Sequence, residues 1–157
     1  MVLYRLAKKP YVKDLSGTGA QLYGGRWNPQ GMACLYTSMH VSLALLERFV
    51  HAQGTDDMGG LMLLELWLDD GEGIVYHMDE SRFEAGWAFD FEYSKWLGQQ
   101  VLSDPDILAF SVPSVIVPNE RNVVVNPLAA ERWALEIKKC LPFVIDERLL
   151  GHLAKNK

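Results

Sequence analysis

Four polar side chains stand where the surrounding sequence is least suited to polar groups. Arg26 lies in Gly24-Gly25-Arg26-Trp27-Asn28-Pro29, and Tyr36 in Leu35-Tyr36-Thr37-Ser38. Glu47 interrupts the apolar run Leu43-Ala44-Leu45-Leu46, and Ser114 sits in Val112-Pro113-Ser114-Val115-Ile116-Val117-Pro118, with Asn122 behind it. A lone charge or hydroxyl among apolar neighbours is costly to bury without a partner. Arginine presents a rigid fork of donors suited to phosphate, and the glycines before it let the chain turn sharply and a ligand come close. Tyrosine offers a flat platform with a hydroxyl handle. A carboxylate can steady a sugar that becomes positively charged. The four together suit a substrate carrying a phosphate, a flat ring and a reacting sugar.

Each residue also has a plainer reading. Arg26 would serve as a surface arginine packed on a tryptophan, Tyr36 as a half-buried strand tyrosine, and Ser114 as a turn residue after proline. Ser114 is not a nucleophile elbow, because no Gly-x-Ser-x-Gly surrounds it; its expected role is hydrogen bonding. Glu47 is the stronger clue. At about 100° per residue it projects between Leu43 and Ala44 on one side and Val50 and His51 on the other, so it shares no clean polar face with Arg48. A carboxylate in such company usually has a specific partner or a function.

The elements that would position these groups can be read coarsely. Val2 to Leu6 and Ala33 to Thr37 are expected to be strands, and Ser38 to cap a helix from His40 to Ala52. Ser16 to Ala20 reads as a glycine-bearing loop. Leu61 to Leu68 reads as a central strand. The acidic turn Asp69-Asp70-Gly71-Glu72-Gly73 would join it in a hairpin to Ile74–His77. Tyr93 to Leu102 is an expected helix that ends before Pro105. Leu108–Val112, Val115–Val117 and Val123–Val125 are expected short strands. Trp133–Lys139 has the alternation of a half-buried strand, and Asp146–Leu153 closes the chain as a weak helix. Strands without regular βαβ alternation imply an α+β fold with a mixed or antiparallel sheet and flanking helices. Residues 1–157 are read as one domain.

Composition narrows the function classes. The chain of 157 residues is 49% hydrophobic and 22% charged, with net charge −5. That acidity argues against direct nucleic-acid binding and against an anionic membrane surface. No apolar run approaches the roughly 20 residues that span a bilayer, the N-terminus lacks the apolar core of a signal peptide, and two cysteines, Cys34 and Cys140, suit free thiols in a reducing cytoplasm. The four histidines are scattered without metal-site spacing, so no metal is expected. There is no Walker-type phosphate loop and no Rossmann fingerprint.

The order of the segments resembles the RES domain family, bacterial toxins of toxin–antitoxin systems. The matching residues are Tyr4-Arg5, Gly25-Arg26-Trp27-Asn28 with Gly31, Leu35-Tyr36-Thr37-Ser38, Leu46-Glu47, Pro113-Ser114 to Pro118, and Asn122 with Asn126-Pro127. They cover residues 3 to 128; Gly54 to Phe91 carries no matching segment. The resemblance implies a fold similar to ADP-ribosyltransferases and NAD as substrate, either degraded or used to transfer ADP-ribose to a protein. It implies catalytic Arg26, Tyr36, Glu47 and Ser114, and NAD binding by Arg5, Arg26, Trp27, Asn28, Tyr36 and Asn122. It also implies a partner antitoxin of the Xre type. The strand edges and tryptophans leave room for a homodimer or for docking of that antitoxin; a non-catalytic binding module is the remaining alternative.

Overall fold

The computed structural model describes residues 1–68, 71, 74–129 and 135–154. Seven strands form one mixed sheet: β1 (Val2–Lys8), β2 (Leu35–Ser38), β3 (Leu61–Trp67), β4 (Val75–His77), β5 (Ala109–Pro113), β6 (Arg121–Val125) and β7 (Glu136–Pro142). Their spatial order is β4-β5-β6-β2-β1-β3-β7. Every pair is antiparallel except β4 with β5, which is parallel. Helices α1 (Thr18–Tyr23), α2 (Val41–Val50), α3 (Thr55–Met58), α4 (Phe91–Leu102) and α5 (Glu147–Ala154) accompany the sheet. The class is α+β, as expected.

Alternation along the strands divides the sheet into two faces. One carries Leu3, Leu35, Leu64, Leu66, Val123 and Val125, all essentially shut from solvent. The other carries Cys34, Phe110, Val112 and Val124, packed with Trp27 and Leu102. The short strand β2 sits at the middle of the sheet, with β6 on one side and β1 on the other. Tyr36 pairs with Val124, and Ser38 with both Asn122 and Tyr4, so these side chains share one face.

Several local expectations are corrected. β4 makes no hairpin with β3, because both edges of β3 are occupied by β1 and β7. It lies beside β5 instead, and a parallel neighbour requires a crossover, which α4 supplies. For the same reason β3 is sixth in the order of seven, not central. Ser16–Ala20 is not wholly loop: Gly17 takes a positive φ of 74° and α1 begins at Thr18. Ser38 does not cap α2, whose N-cap is His40 without a side-chain bond. Val115–Val117 is a bend, not a strand, and the amides of Ile116 and Val117 bond the Ser114 side chain. The last strand begins at Glu136, while Trp133 lies outside the described residues, as do Asp69, Asp70, Glu72 and Gly73 of the expected acidic turn. Both cysteines are free, Cys34 buried and Cys140 half-buried. Among the described residues no helix is long and apolar enough to cross a membrane.

Candidate active site

Helix α2 packs on the middle of the sheet through Leu43 and Ala44, which are buried. Its amphipathic face is not clean, and Glu47 points back toward the strands. The Glu47 carboxylate is received by two donors from the distant β5–β6 region. Ser114 Oγ donates to Oε1 at 3.0 Å and Asn122 Nδ2 donates to the same oxygen at 2.5 Å. The second oxygen, Oε2, has no hydrogen-bond partner among the described residues, and Glu47 is only half-buried. One half of the carboxylate is anchored and the other half is open to a ligand.

Each anchor is itself held. Ser114 is 2% exposed; its hydroxyl accepts from the amides of Ile116 and Val117, both at 3.1 Å, while donating to Glu47. All the hydroxyl's capacity is therefore taken by hydrogen bonds. The amide of Asn122 is oriented by Ser38, whose Oγ donates to Asn122 Oδ1 at 2.6 Å. With its oxygen fixed by Ser38, the amide presents its NH2 group to Glu47. Ser38, expected to cap α2, has this role instead. The register Ser38↔Asn122 across β2 and β6 creates it, and register is not visible in a single strand.

Arg26 belongs to the loop after α1, and Tyr36 to β2, which follows that loop. Tyr36 donates to Asn28 Oδ1 at 2.8 Å and accepts from the Trp27 amide at 2.9 Å. Asn28 is fully buried and donates to the carbonyls of Ala20 and Met32, each at 2.8 Å. Asn28 and Tyr36 thus lock the loop from inside. Trp27 is 3% exposed and packs its ring near Phe83, Trp87 and Phe110. Two glycines make this packing possible. A Cβ on Gly25 would stand 2.5 Å from the Tyr36 hydroxyl, and one on Gly98 of α4 would stand 1.9 Å from the Trp27 carbonyl oxygen. Burial is the main cause pushing the Tyr36 hydroxyl upward, well beyond the usual phenol range, and it pushes the Cys34 thiol up to about 12. Both groups are neutral near pH 7.

With Trp27 turned inward, Arg26 faces outward. Its guanidinium lies over the Phe91 ring, 4.1 Å from the centroid, and Nη1 makes a long contact of 3.4 Å to Ser94 Oγ. Burial pulls its ionisation below the ordinary range, and the nearby Glu47 carboxylate and Tyr36 oppose that pull. An arginine remains charged at neutral pH regardless. Nothing in the local sequence marks Phe91 or Ser94, both on α4, as neighbours of Arg26. The only local signal is Asp90, whose carboxylate caps α4 at the Tyr93 amide.

The structure therefore gathers Glu47, Ser114 and Asn122 in direct contact, with Arg26 and Tyr36 close enough to feel Glu47 or each other. Arg5 is not brought to them. β1 pairs Tyr4 with Ser38, so Arg5 projects from the opposite face, level with Leu64, and donates to the Asp14 carbonyl at 3.1 Å. Trp27 and Asn28 support the loop from within. Among the described residues no group of three or more His, Cys, Asp or Glu side chains could hold a metal ion.

Residues 2–146 match the family model described as the RES domain. A protein named Toxin Res from Photorhabdus laumondii is 33% identical over 153 residues, covering 96% of this chain and 97% of its own length. A Toxin Res from Yersinia enterocolitica is 31% identical, covering 95% of this chain and 99% of its own. A Sphingobium protein named Prs ADP-ribosylating toxin is 31% identical, with 87% of each chain covered. Among solved structures, a chain of the M. tuberculosis MbcT-MbcA toxin-antitoxin complex is similar in fold. Its TM-score is 0.71 over 98% of this chain and 88% of that one, at 18% identity.

Proposed function

Because this chain belongs to the RES domain family over residues 2–146, we propose that it is the toxin of a toxin–antitoxin pair and that its site breaks the nicotinamide–ribose bond of NAD. The observation that carries this reading is the half-anchored Glu47. Oε1 is held by Ser114 and Asn122 while Oε2 stays without a hydrogen-bond partner among the described residues.

The chemistry follows from that arrangement. As the ribose C–N bond breaks, its electron pair leaves with nicotinamide, which becomes neutral, and the sugar gains oxocarbenium character. Glu47 Oε2 stabilises that developing charge and orients the ribose hydroxyls. Stabilisation concentrated where charge appears is worth more than uniform binding. The two donors on Oε1 keep the carboxylate from rotating. Arg26, with Nε and Nη2 lacking partners among the described residues, pins the diphosphate by its fork. Tyr36 presents its ring toward the reacting end, its hydroxyl being engaged with Trp27 and Asn28. Water or phosphate then captures the sugar and releases a proton.

A second reading is transfer of ADP-ribose to a protein side chain in place of water or phosphate. The relative named Prs ADP-ribosylating toxin supports it, and bond breaking at the ribose is common to both readings. Likeness of fold to a chain taken from a toxin–antitoxin complex supports an antitoxin partner, for which the Xre type is our proposal, met in the cytoplasm.

The deciding measurement is NAD consumption by the purified chain with and without inorganic phosphate, beside Glu47→Gln. Loss of NAD with the wild type alone supports cleavage, and dependence on phosphate identifies phosphorolysis. A folded wild type that leaves NAD intact under both conditions refutes cleavage of free NAD. Label then appearing on a protein from adenine-tagged NAD would favour the transfer reading.

A further inference from the structure

Phe91 lies outside every segment that suggested the site, yet it touches the residue proposed to hold the diphosphate. Its ring carries the Arg26 guanidinium 4.1 Å from its centroid. An aromatic at the first position of a helix would ordinarily turn inward if packing were its purpose. Phe91 remains 53% exposed, and its other aromatic neighbours, Phe83, Trp87, Tyr93 and Trp96, pack among themselves without it. A guanidinium covers only part of a phenyl ring, so the surface of Phe91 that Arg26 leaves free is open to a second flat group.

The sequence of groups across this surface is informative. Glu47 lies on α2, Arg26 feels its charge, and Phe91 lies beyond Arg26 at the start of α4. Arg26 thus neighbours both a carboxylate suited to a sugar cation and an exposed ring. NAD has the same order: nicotinamide ribose, diphosphate, adenosine. If Glu47 meets the reacting ribose and Arg26 meets the diphosphate, the adenine end emerges on the Phe91 side. We propose that Phe91 is the stacking platform for the adenine ring, and that it sets the preference for a dinucleotide over a mononucleotide. This rests on the reading of Glu47 and Arg26 given above. Stacking of a base on an aromatic side chain commonly changes affinity by about tenfold or more, and the guanidinium on the same ring keeps its edge donors free for phosphate.

The test is equilibrium binding by calorimetry on the full chain, with ADP as the adenine-bearing probe and nicotinamide mononucleotide as the probe lacking adenine. Phe91→Ala is expected to weaken ADP binding about tenfold and to leave the mononucleotide unchanged. Phe91→Tyr should restore ADP binding, and Phe89→Ala, at a residue 89% exposed two positions earlier, should change neither. Equal weakening of both probes would show that Phe91 only positions Arg26 and would overturn the proposal. Unchanged ADP binding in Phe91→Ala, or no ADP binding by the wild type, would overturn it too. NAD consumption by the wild type is scored separately. Loss of NAD with no Phe91 effect sinks the platform alone; a selective ADP effect without NAD loss sinks the cleavage reading alone.

Discussion

Asn122 Nδ2 stands 2.5 Å from Glu47 Oε1 across 75 residues of sequence. The same amide is fixed on its other side by Ser38 at 2.6 Å. A strand residue, a second strand residue and a helix residue thus form one short chain of hydrogen bonds ending at the carboxylate proposed to meet the sugar. Ser114 makes the chain a fork by donating to the same oxygen.

Glu47→Gln should therefore lower kcat for NAD cleavage by a hundredfold or more, the scale on which a single charge-stabilising group acts. Gln retains an oxygen for Ser114 and Asn122, so its melting temperature should stay close to wild type. Glu47→Ala leaves both donors without a partner and should cost about 1–3 kcal/mol in addition. Parallel thermal melts and NAD assays check this, and near-normal turnover in Glu47→Gln would remove Glu47 from the mechanism.

Ser38→Ala frees the Asn122 amide to turn its oxygen toward Glu47. The expected result is a drop in kcat of about tenfold with KM nearly unchanged, because Ser38 is 3% exposed and acts through the Asn122 amide. A rise in KM with kcat intact would instead mean that Ser38 shapes the binding surface.

Gly98→Ala tests the support of the Arg26 loop. The new methyl would meet the Trp27 carbonyl oxygen at 1.9 Å, so α4 or the loop must shift. Overpacking of this kind costs about 1–3 kcal/mol. The loop carries Arg26, so affinity for NAD should fall together with the melting temperature. Gly19→Ala, where a Cβ meets nothing within 4 Å, is the matched control and should affect neither.

The Cys34 thiol, held at about 12 by burial against an ordinary 9.0, predicts a pH dependence with a definite sign. Above 9 the unfolded chain releases this proton while the folded chain keeps it. The folded state then binds more protons, and stability falls as pH rises. The contribution is fully present below about 9 and is lost progressively up to about 12; Tyr36, shifted in the same direction by burial, adds to the loss. Denaturant midpoints measured between pH 8 and 11 should fall more steeply in wild type than in Cys34→Ala. Parallel curves would show that the thiol is not held protonated.

Much of this site was legible before the fold was known, and the reason differs from residue to residue. Glu47 stood out because a carboxylate inside an apolar helix demands a partner, and it has two. Arg26 stood out because glycines precede it, and Gly25 is indeed held against the Tyr36 hydroxyl. Ser38, Phe91 and the placement of Arg5 on the opposite face were not legible. Ser38 works through the register of β2 against β6, Phe91 through the approach of α4 to a loop 65 residues earlier, and Arg5 through the alternation of β1 relative to β2. None of these relations exists within a window of local sequence. The parallel β4–β5 pair was missed for a related reason. Short strands separated by a turn look like a hairpin until the edges of the first are known to be taken.

The separations of 67, 75 and 84 residues that join Ser114, Asn122 and Ser38 to the Glu47 cluster also bear on when the site forms. Contacts so distant in sequence form late in folding, after the entropy of closing long loops has been met. Glu47 on a nascent α2 has neither anchor, because β5 and β6 emerge from the ribosome well after it. A toxin of the kind proposed above has no assembled site while it is being synthesised. On that proposal, the interval from the synthesis of α2 until β6 is seated beside β2 is the time left for the proposed partner to arrive.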